Sequence, residues 1–296
     1  MNFFEDFRKK LLAHNWKVVV GIIRKIIKNL LPYYVVKKYI GFESYFPSGK
    51  AESNEMIFDV SDENKEFWQC FNNRTWEPET VKFYRKYVSP DKEVIDIGGW
   101  IGPTVLIAYS FNPKKISVVE GDPANYQILK MNCHRNILTD KVELYNICIY
   151  KESGTIMSFG YNDETVLDTS TKGIGGKRVK VKTISLEDFL LTKDMENTNI
   201  IKIDIEGGEQ YIEKGLKYIS KYKDIVVLLS MHTPFWENKD KTAKMFLEIL
   251  NDYEVLSDKE ETVPTEKLKS LMYSEEQTGY RGKTGKFFTI ILKTRE

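Results

Sequence analysis

Asp96-Ile97-Gly98-Gly99-Trp100-Ile101-Gly102 follows the apolar pair Val94-Ile95 and precedes Val105-Leu106-Ile107-Ala108. An acidic residue and three glycines between two apolar runs read as a buried parallel strand, a tight turn and a helix. That arrangement brings backbone close to a nucleotide-like ligand. Glycine turns also close ordinary strand-helix units, so a second mark is needed. The run Ile116-Ser117-Val118-Val119-Glu120 supplies it, by placing a carboxylate at the tip of the next strand, where it can bind ribose hydroxyls.

The turn discriminates between ligands. A dinucleotide fingerprint, G-x-G-x-x-G, uses its middle glycine to give a pyrophosphate room at the helix N-terminus. Here that position is Trp100, whose indole opposes a pyrophosphate and therefore a nicotinamide-dependent oxidoreductase. Asp96 stands where an S-adenosylmethionine site uses a carboxylate near the cofactor's ammonium group. The preferred reading is a methyltransferase with Asp96 and Glu120 on the cofactor and with Gly98, Gly99 and Gly102 admitting it to the backbone.

A second strand ends in carboxylates and glycines: Ile200-Ile201-Lys202-Ile203-Asp204-Ile205-Glu206-Gly207-Gly208-Glu209. With it the chain resembles the FkbM family of S-adenosylmethionine-dependent methyltransferases, whose signature here is K-[IV]-D-[IV]-E-G-x-E. The resemblance extends to Trp76-Glu77-Pro78-Glu79-Thr80, to Glu120-Gly121-Asp122-Pro123, to Asn132 and to Thr183-Ile184-Ser185-Leu186-Glu187-Asp188, covering roughly residues 74 to 237. It departs at Gly99-Trp100, where many members have Ala-Asn, and at Ser230, where many carry a glutamate. The resemblance implies methyl transfer to oxygen, since members commonly methylate hydroxyls of sugars and natural products, and it brings Glu77, Asp122 and Asn132 into the candidate site. Asp122-Pro123 also reads as a helix N-cap followed by proline, and Asn132 as a group that satisfies nearby backbone.

Asp204 and Glu206, two residues apart, share one face at the strand's carboxyl end if the strand stays extended through both. Ligands gather at that end of an open α/β sheet. Glu209 follows in the first helical turn, where the helix dipole also favours a carboxylate. His232 closes the apolar strand Ile225-Val226-Val227-Leu228-Leu229 on the same side. A histidine of ordinary pKa can accept a proton at neutral pH, so His232 is expected to take it from the acceptor while Asp204 and Glu206 place the hydroxyl. Phe235 and Trp236 wall an acceptor pocket or belong to the core. No metal is assigned; the alternative is a hard cation such as magnesium on Asp204, Glu206 and Glu209.

With 296 residues, 42% hydrophobic and 29% charged, the chain has globular composition and can bury a full α/β core with an appendage. A net charge of +1 gives no field favouring nucleic acid, so the expected partner is a small-molecule or glycan acceptor. Cys70, Cys133 and Cys148 lack C-x-x-C spacing and read as small buried side chains in a reducing cytoplasm.

Residues 1–40 hold nine lysines and arginines against Glu5 and Asp6. The apolar stretch Val18-Val19-Val20-Gly21-Ile22-Ile23 is stopped by Arg24-Lys25, and burying such charges at a bilayer centre costs about 2.5–3.5 kcal/mol each, so the segment does not read as a membrane span. No small-residue cleavage site follows it, so it does not read as an export signal either. Two readings stand: a basic amphipathic helix lying on the inner face of the membrane or docking a partner, or a helical extension packed on its own domain. A third reading of the chain, a membrane-docked scaffold with a vestigial cofactor fold, is opposed by the intact carboxylate cluster.

The expected architecture is a linking region at 41–75 with short strands and a catalytic domain at 76–296. Pro78 opens a helix that ends before Ser89-Pro90-Asp91. Strand and helix patterns then alternate at 94–97, 104–110, 116–120, 123–136 and 142–149, and again at 186–191, 200–204, 208–219, 225–231 and 240–250. This is the pattern of a doubly wound, Rossmann-like α/β sheet, mostly parallel, with a reversed C-terminal hairpin from Tyr253 to Leu256 and Phe287 to Leu292. An inserted hairpin or edge strand is expected at 151–182 and a surface excursion at 258–286.

Overall fold

Residues Val94 to Ile97 of the first core strand, β1 (Glu93–Ile97), are all buried, with Val94 and Asp96 on one face and Ile95 and Ile97 on the other. Apolar side chains on both faces of a strand require cover on both, and the computed structural model supplies it. The structure describes residues 67, 70, 71, 76–136, 138, 140–162, 165–170, 178–278 and 283–295. The N-terminal segment 1–40 and most of 41–75 lie outside the described residues, and with them both readings of the basic segment. No helix among the described residues is long and apolar enough to cross a membrane.

Helix α1 (Pro78–Tyr87) leads into β1, followed by α2 (Pro103–Ser110), β2 (Lys115–Val119), α3 (Pro123–Arg135) and β3 (Val142–Tyr145). After an excursion come α4 (Leu186–Leu191), β8 (Thr198–Ile203), α5 (Glu213–Ile219), β9 (Val226–His232) and α6 (Lys239–Ile249). The chain then runs through β10 (Tyr253–Ser257) and α7 (Thr265–Met272) to β11 (Phe287–Thr294). The main sheet has seven strands in the order β10-β11-β9-β8-β1-β2-β3. Strands β9, β8, β1, β2 and β3 pair in parallel, and β11 runs antiparallel to both β9 and β10. The reversed C-terminal hairpin is present as expected.

One apolar cluster packs Leu186, Leu216 and Phe246 of α4, α5 and α6 on Ile95, Ile97, Ile201 and Ile203. The other packs α1, α2 and α3 on Val94, Val118, Ile200 and Leu228. Val105, Leu106 and Ile107 of α2 are fully buried, each contributing about 1.5–3 kcal/mol of apolar burial. This explains why α2 carries no polar stripe: a helix covered all round has no face for water.

Four expectations are corrected. The run 142–149 is two strands, because Asn146 turns back to donate from Nδ2 to the Glu120 carbonyl at 2.9 Å, and β4 (Cys148–Ile149) joins a second sheet. That sheet has the order β4-β7-β5-β6, with β5 (Ile156–Asn162), β6 (Thr165–Ser170) and β7 (Arg178–Ile184) forming the inserted antiparallel unit. The helix expected at 208–219 begins as a separate 3-10 turn, Gly208–Tyr211. The excursion 258–286 is not wholly superficial: it contains α7, whose Leu268 and Met272 are buried in the core. Finally, Cys133 and Cys148 are buried thiols but Cys70 is exposed.

The β1 turn also sets the spacing of the central strands. Gly98 has φ 87°, and a Cβ there would lie 1.7 Å from the Asp204 carbonyl oxygen. Gly98→Ala is therefore expected to lose at least about 2–3 kcal/mol, from the left-handed backbone and the clash together. Chemical denaturation measures this, and a variant of wild-type stability would show that β1 and β8 can separate at no cost.

Candidate active site

Glu120, immediately after β2, accepts from the Trp100 amide at 2.8 Å through one oxygen and from the Asp122 amide at 2.7 Å through the other. The carboxylate thereby locks the glycine turn to the end of the neighbouring strand. Burial raises its pKa to about 8 against the lowering effect of these amide bonds. Glu120 faces a cavity of about 290 Å³ that is also lined by Gly98, Gly99, Trp100, Lys202 and Asp204. That volume is at the lower end of the roughly 300–1,000 Å³ usual for small-molecule sites. The buried Nε1 of Trp100, on the same lining, has no hydrogen-bond partner among the described residues. An orphaned donor beside a carboxylate suits the hydroxyls and ring nitrogens of a nucleoside, so the residues fit the cofactor expected from the sequence.

Several expected cofactor ligands lie elsewhere. Asp96 is fully buried and outside the cavity lining. Sheet register places it opposite Lys202, whose Nζ is 3.6 Å from Asp96 Oδ1, while Thr104 donates to Oδ2 at 2.5 Å. Asp96 thus holds the lysine and helix α2 from below. Burial pushes its carboxyl up against the opposing pull of Lys202. Asp122 caps α3 by accepting from the Ala124 and Asn125 amides, and Asn132 donates to the Ile101 carbonyl at 2.7 Å. Gly102 caps α2 with φ 102°. These three shape the turn without lining the cavity.

Lys202 is the functional residue that the sequence reading missed, although it stands in the quoted motif. Its Nζ lies 3.3 Å from Asp204 Oδ2, making it the shared counter-ion of Asp96 and Asp204. Burial favours loss of its proton, but Asp204, Asp96 and Glu77 more than reverse this and raise its pKa. Lys202 and His232 in turn outweigh burial at Asp204 and lower its pKa.

Asp204 and Glu206 do meet, by a different route from the one expected. Strand β8 ends at Ile203 and Glu206 has φ 48°, so a turn rather than an extended strand brings the two carboxylates together. His232 Nε2 lies 3.5 Å from Asp204 Oδ1 and 3.5 Å from Glu206 Oε2. Its Nδ1 donates to Glu209 Oε1 at 2.9 Å. Glu209 is fully buried and also accepts from the Gly207 amide and, at 3.4 Å, from Trp236 Nε1. It stands behind the histidine and outside the cavity.

Burial alone would lower the His232 pKa, but Glu209, Glu206 and Asp204 raise it to about 10. A ring whose affinity for its second proton is raised in this way is a poor general base, which counts against its expected role as the proton acceptor. Glu77 is better suited. It has φ 38°, lines the cavity, and accepts from Thr80 Oγ1 at 2.8 Å. Burial first, then the charge of Asp204, raises its pKa to about 7.

A second cavity, of about 460 Å³, opens beside His232 and Ser230 and is walled by Phe287 and Phe288. Glu77, Asp204 and Glu206 line both cavities and mark their junction. Phe235 and Trp236 do not wall this space: Trp236 stacks on Phe246 in the core, and Phe235 packs at 5.5 Å on Phe287. The aromatic wall comes instead from β11, because register sets Phe287 opposite His232. No local sequence signal could have found that pairing. Glu77, Trp100 and Glu206 are all non-glycine residues with left-handed φ, and all line the cavities. Backbone strain of about 1–3 kcal/mol each is stored at these three positions, while Asn112, Asp224 and Glu260 adopt positive φ away from the two cavities.

Similar solved structures include the methyltransferase FkbM from Methylobacillus flagellatus KT, at 15% identity over 79% of this chain and 55% of that chain, TM-score 0.41. Others are the O-methyltransferase from Bacillus cereus in complex with SAH (13%, 92% and 97%, 0.41) and precorrin-6y C5,15-methyltransferase from Geobacter metallireducens GS-15 (14%, 73% and 87%, 0.40). A comparison with curated proteins finds no match. The family model "Methyltransferase FkbM domain" matches residues 96–255, more than half of the chain, from Asp96 in β1 to Val255 in β10. The chain belongs to the FkbM methyltransferase domain family.

Proposed function

We propose that the protein is an S-adenosylmethionine-dependent O-methyltransferase acting on a hydroxyl of a glycan, a sugar or a small natural product. The observation that carries this reading is the junction of two cavities at Glu77, Asp204 and Glu206. The first suits a nucleoside-bearing donor, and the second, with carboxylates and an aromatic wall, suits a hydroxylated acceptor.

When bound, S-adenosylmethionine supplies an electrophilic methyl carbon. Glu120 would take the ribose hydroxyls and Trp100 Nε1 would donate to the nucleoside. Lys202 fixes Asp204 at the junction, where Asp204 and Glu206 receive hydrogen bonds from the acceptor. Glu77 would accept the proton of the acceptor's hydroxyl, a type of proton transfer that contributes about 10²–10⁴-fold. Phe287 and Phe288 cover an apolar face of the acceptor and exclude water from the reacting oxygen.

S-adenosylhomocysteine is expected to raise the melting temperature, corresponding to about 2.7 kcal/mol at a hundredfold excess over its dissociation constant. Nicotinamide dinucleotides are expected to leave it unchanged, because Trp100 takes the pyrophosphate's place. Thermal denaturation with each ligand checks this, and stabilisation by NADH alone would overturn the donor assignment. Incubating the protein with S-adenosylmethionine and a panel of hydroxylated acceptors then tests the acceptor class by the mass of one added methyl group. Methylation confined to amines or thiols would overturn the oxygen assignment.

A further inference from the structure

We propose that Asp204, Glu206 and His232 form a site for a divalent first-row cation at the junction of the two cavities. Each residue offers one ligand atom, and the three atoms lie within 4.8 Å of one another. His232 is only 9% exposed, and its Nε2 is aimed between two carboxylate oxygens at 3.5 Å each, beyond the 2.7–3.2 Å of an N–H···O hydrogen bond. Two ligands bound at about 2.1–2.2 Å to one ion, at right to tetrahedral angles, stand about 3.0–3.6 Å apart. Each His232 spacing is thus long for a direct bond from the ring and matches that of two ligands sharing one ion, and the three ligand atoms together lie within 4.8 Å.

The other ring nitrogen supports the same conclusion. Nδ1 is tied at 2.9 Å to Glu209, which is fully buried and held by the Gly207 amide. A carboxylate behind a histidine, holding the Nδ1 proton so that an ion can displace the proton on Nε2, is the usual outer support of a metal-ligating imidazole. One nitrogen and two oxygens favour a first-row ion that accepts imidazole, zinc or the harder manganese, over magnesium, which prefers oxygen alone. This set differs from the three-carboxylate magnesium alternative, because Glu209 supports the site from behind and His232 takes its place as ligand.

The chemical role rests on the methyltransferase reading above. An acceptor hydroxyl bound to the cation would have its pKa lowered. Its proton would pass to Glu77, the oxygen would form the new bond to the methyl carbon, and the carbon–sulfur bond of the donor would break to leave a neutral thioether. No electrons are gained or lost, so the ion need only be a Lewis acid.

Calorimetric titration of the chelator-treated full-length protein with manganese, zinc and magnesium chlorides tests the site. One equivalent of manganese or zinc is expected to bind, at least tenfold tighter than magnesium. Glu206→Gln, at a half-exposed turn position where folding should be unaffected, is expected to weaken binding ten- to hundredfold, as is His232→Asn. Binding of magnesium alone, of no ion, or with wild-type affinity in both variants would overturn the proposal. A parallel titration with S-adenosylhomocysteine separates this outcome from the methyltransferase reading. Cofactor binding without metal binding removes only the cation site, whereas metal binding without cofactor binding removes the transferase assignment.

Discussion

Lys202→Met is expected to cost about 3–5 kcal/mol, because it removes the cation shared by two carboxylates and leaves their charge buried. Nζ lies 3.6 Å from Asp96 and 3.3 Å from Asp204, and the lysine side chain is 2% exposed. In a domain of about 150–250 residues each kcal/mol lowers the melting temperature by about 2–4 °C, so a fall of roughly 6–20 °C should be measured. The double variant Lys202→Met with Asp96→Asn is expected to recover part of the loss, because one stranded charge is then gone. A single variant within 1 kcal/mol of wild type would show that the carboxylates shed their charge by taking up protons, and would end the counter-ion role of Lys202.

Glu77→Gln is expected to reduce turnover by about 10²–10⁴-fold while leaving S-adenosylhomocysteine affinity nearly unchanged. The sign of the pH dependence follows from the role. A base works as the carboxylate, and burial has raised its pKa to about 7. Wild-type turnover should therefore rise with pH through about 7 and fall away below it, whereas the glutamine variant should lack that limb. The same shift makes the ionised carboxylate a cost to the fold above about 7, which the neutral amide relieves, so the variant should be no less stable at alkaline pH. If it keeps the acidic limb and wild-type turnover, the proton goes to another group and Glu77 only shapes the junction.

The alternation of apolar runs and glycine turns was enough to predict the strand order's parallel character and its reversed final hairpin, because burial on both faces writes itself into consecutive residues. The motif from Lys202 to Glu209 likewise announced a carboxylate-rich strand end. Such signals are local: each depends on residues within one turn or strand of each other. The N-cap of Asp122, the glycine turn at Gly98 and the placement of Glu120 at a strand tip belong to the same class.

The site itself needed the third dimension. Asp96 looks like a cofactor ligand in sequence, yet the register of β1 on β8 sets it opposite Lys202 beneath the cavity. His232 looks like a base, but three carboxylates from a different strand end and turn surround it and hold its proton. Phe287, which walls the acceptor cavity, stands 55 residues along the chain from His232 and meets it only because β11 runs antiparallel to β9. Sequence determined where most strands of the main sheet run and which of their ends carry charge, since those follow from local hydrophobicity and turn chemistry. Tertiary structure alone decided which charges share a cation, which are driven towards neutrality and which face open space, because register, burial and electrostatic coupling depend on residues brought together from distant parts of the chain.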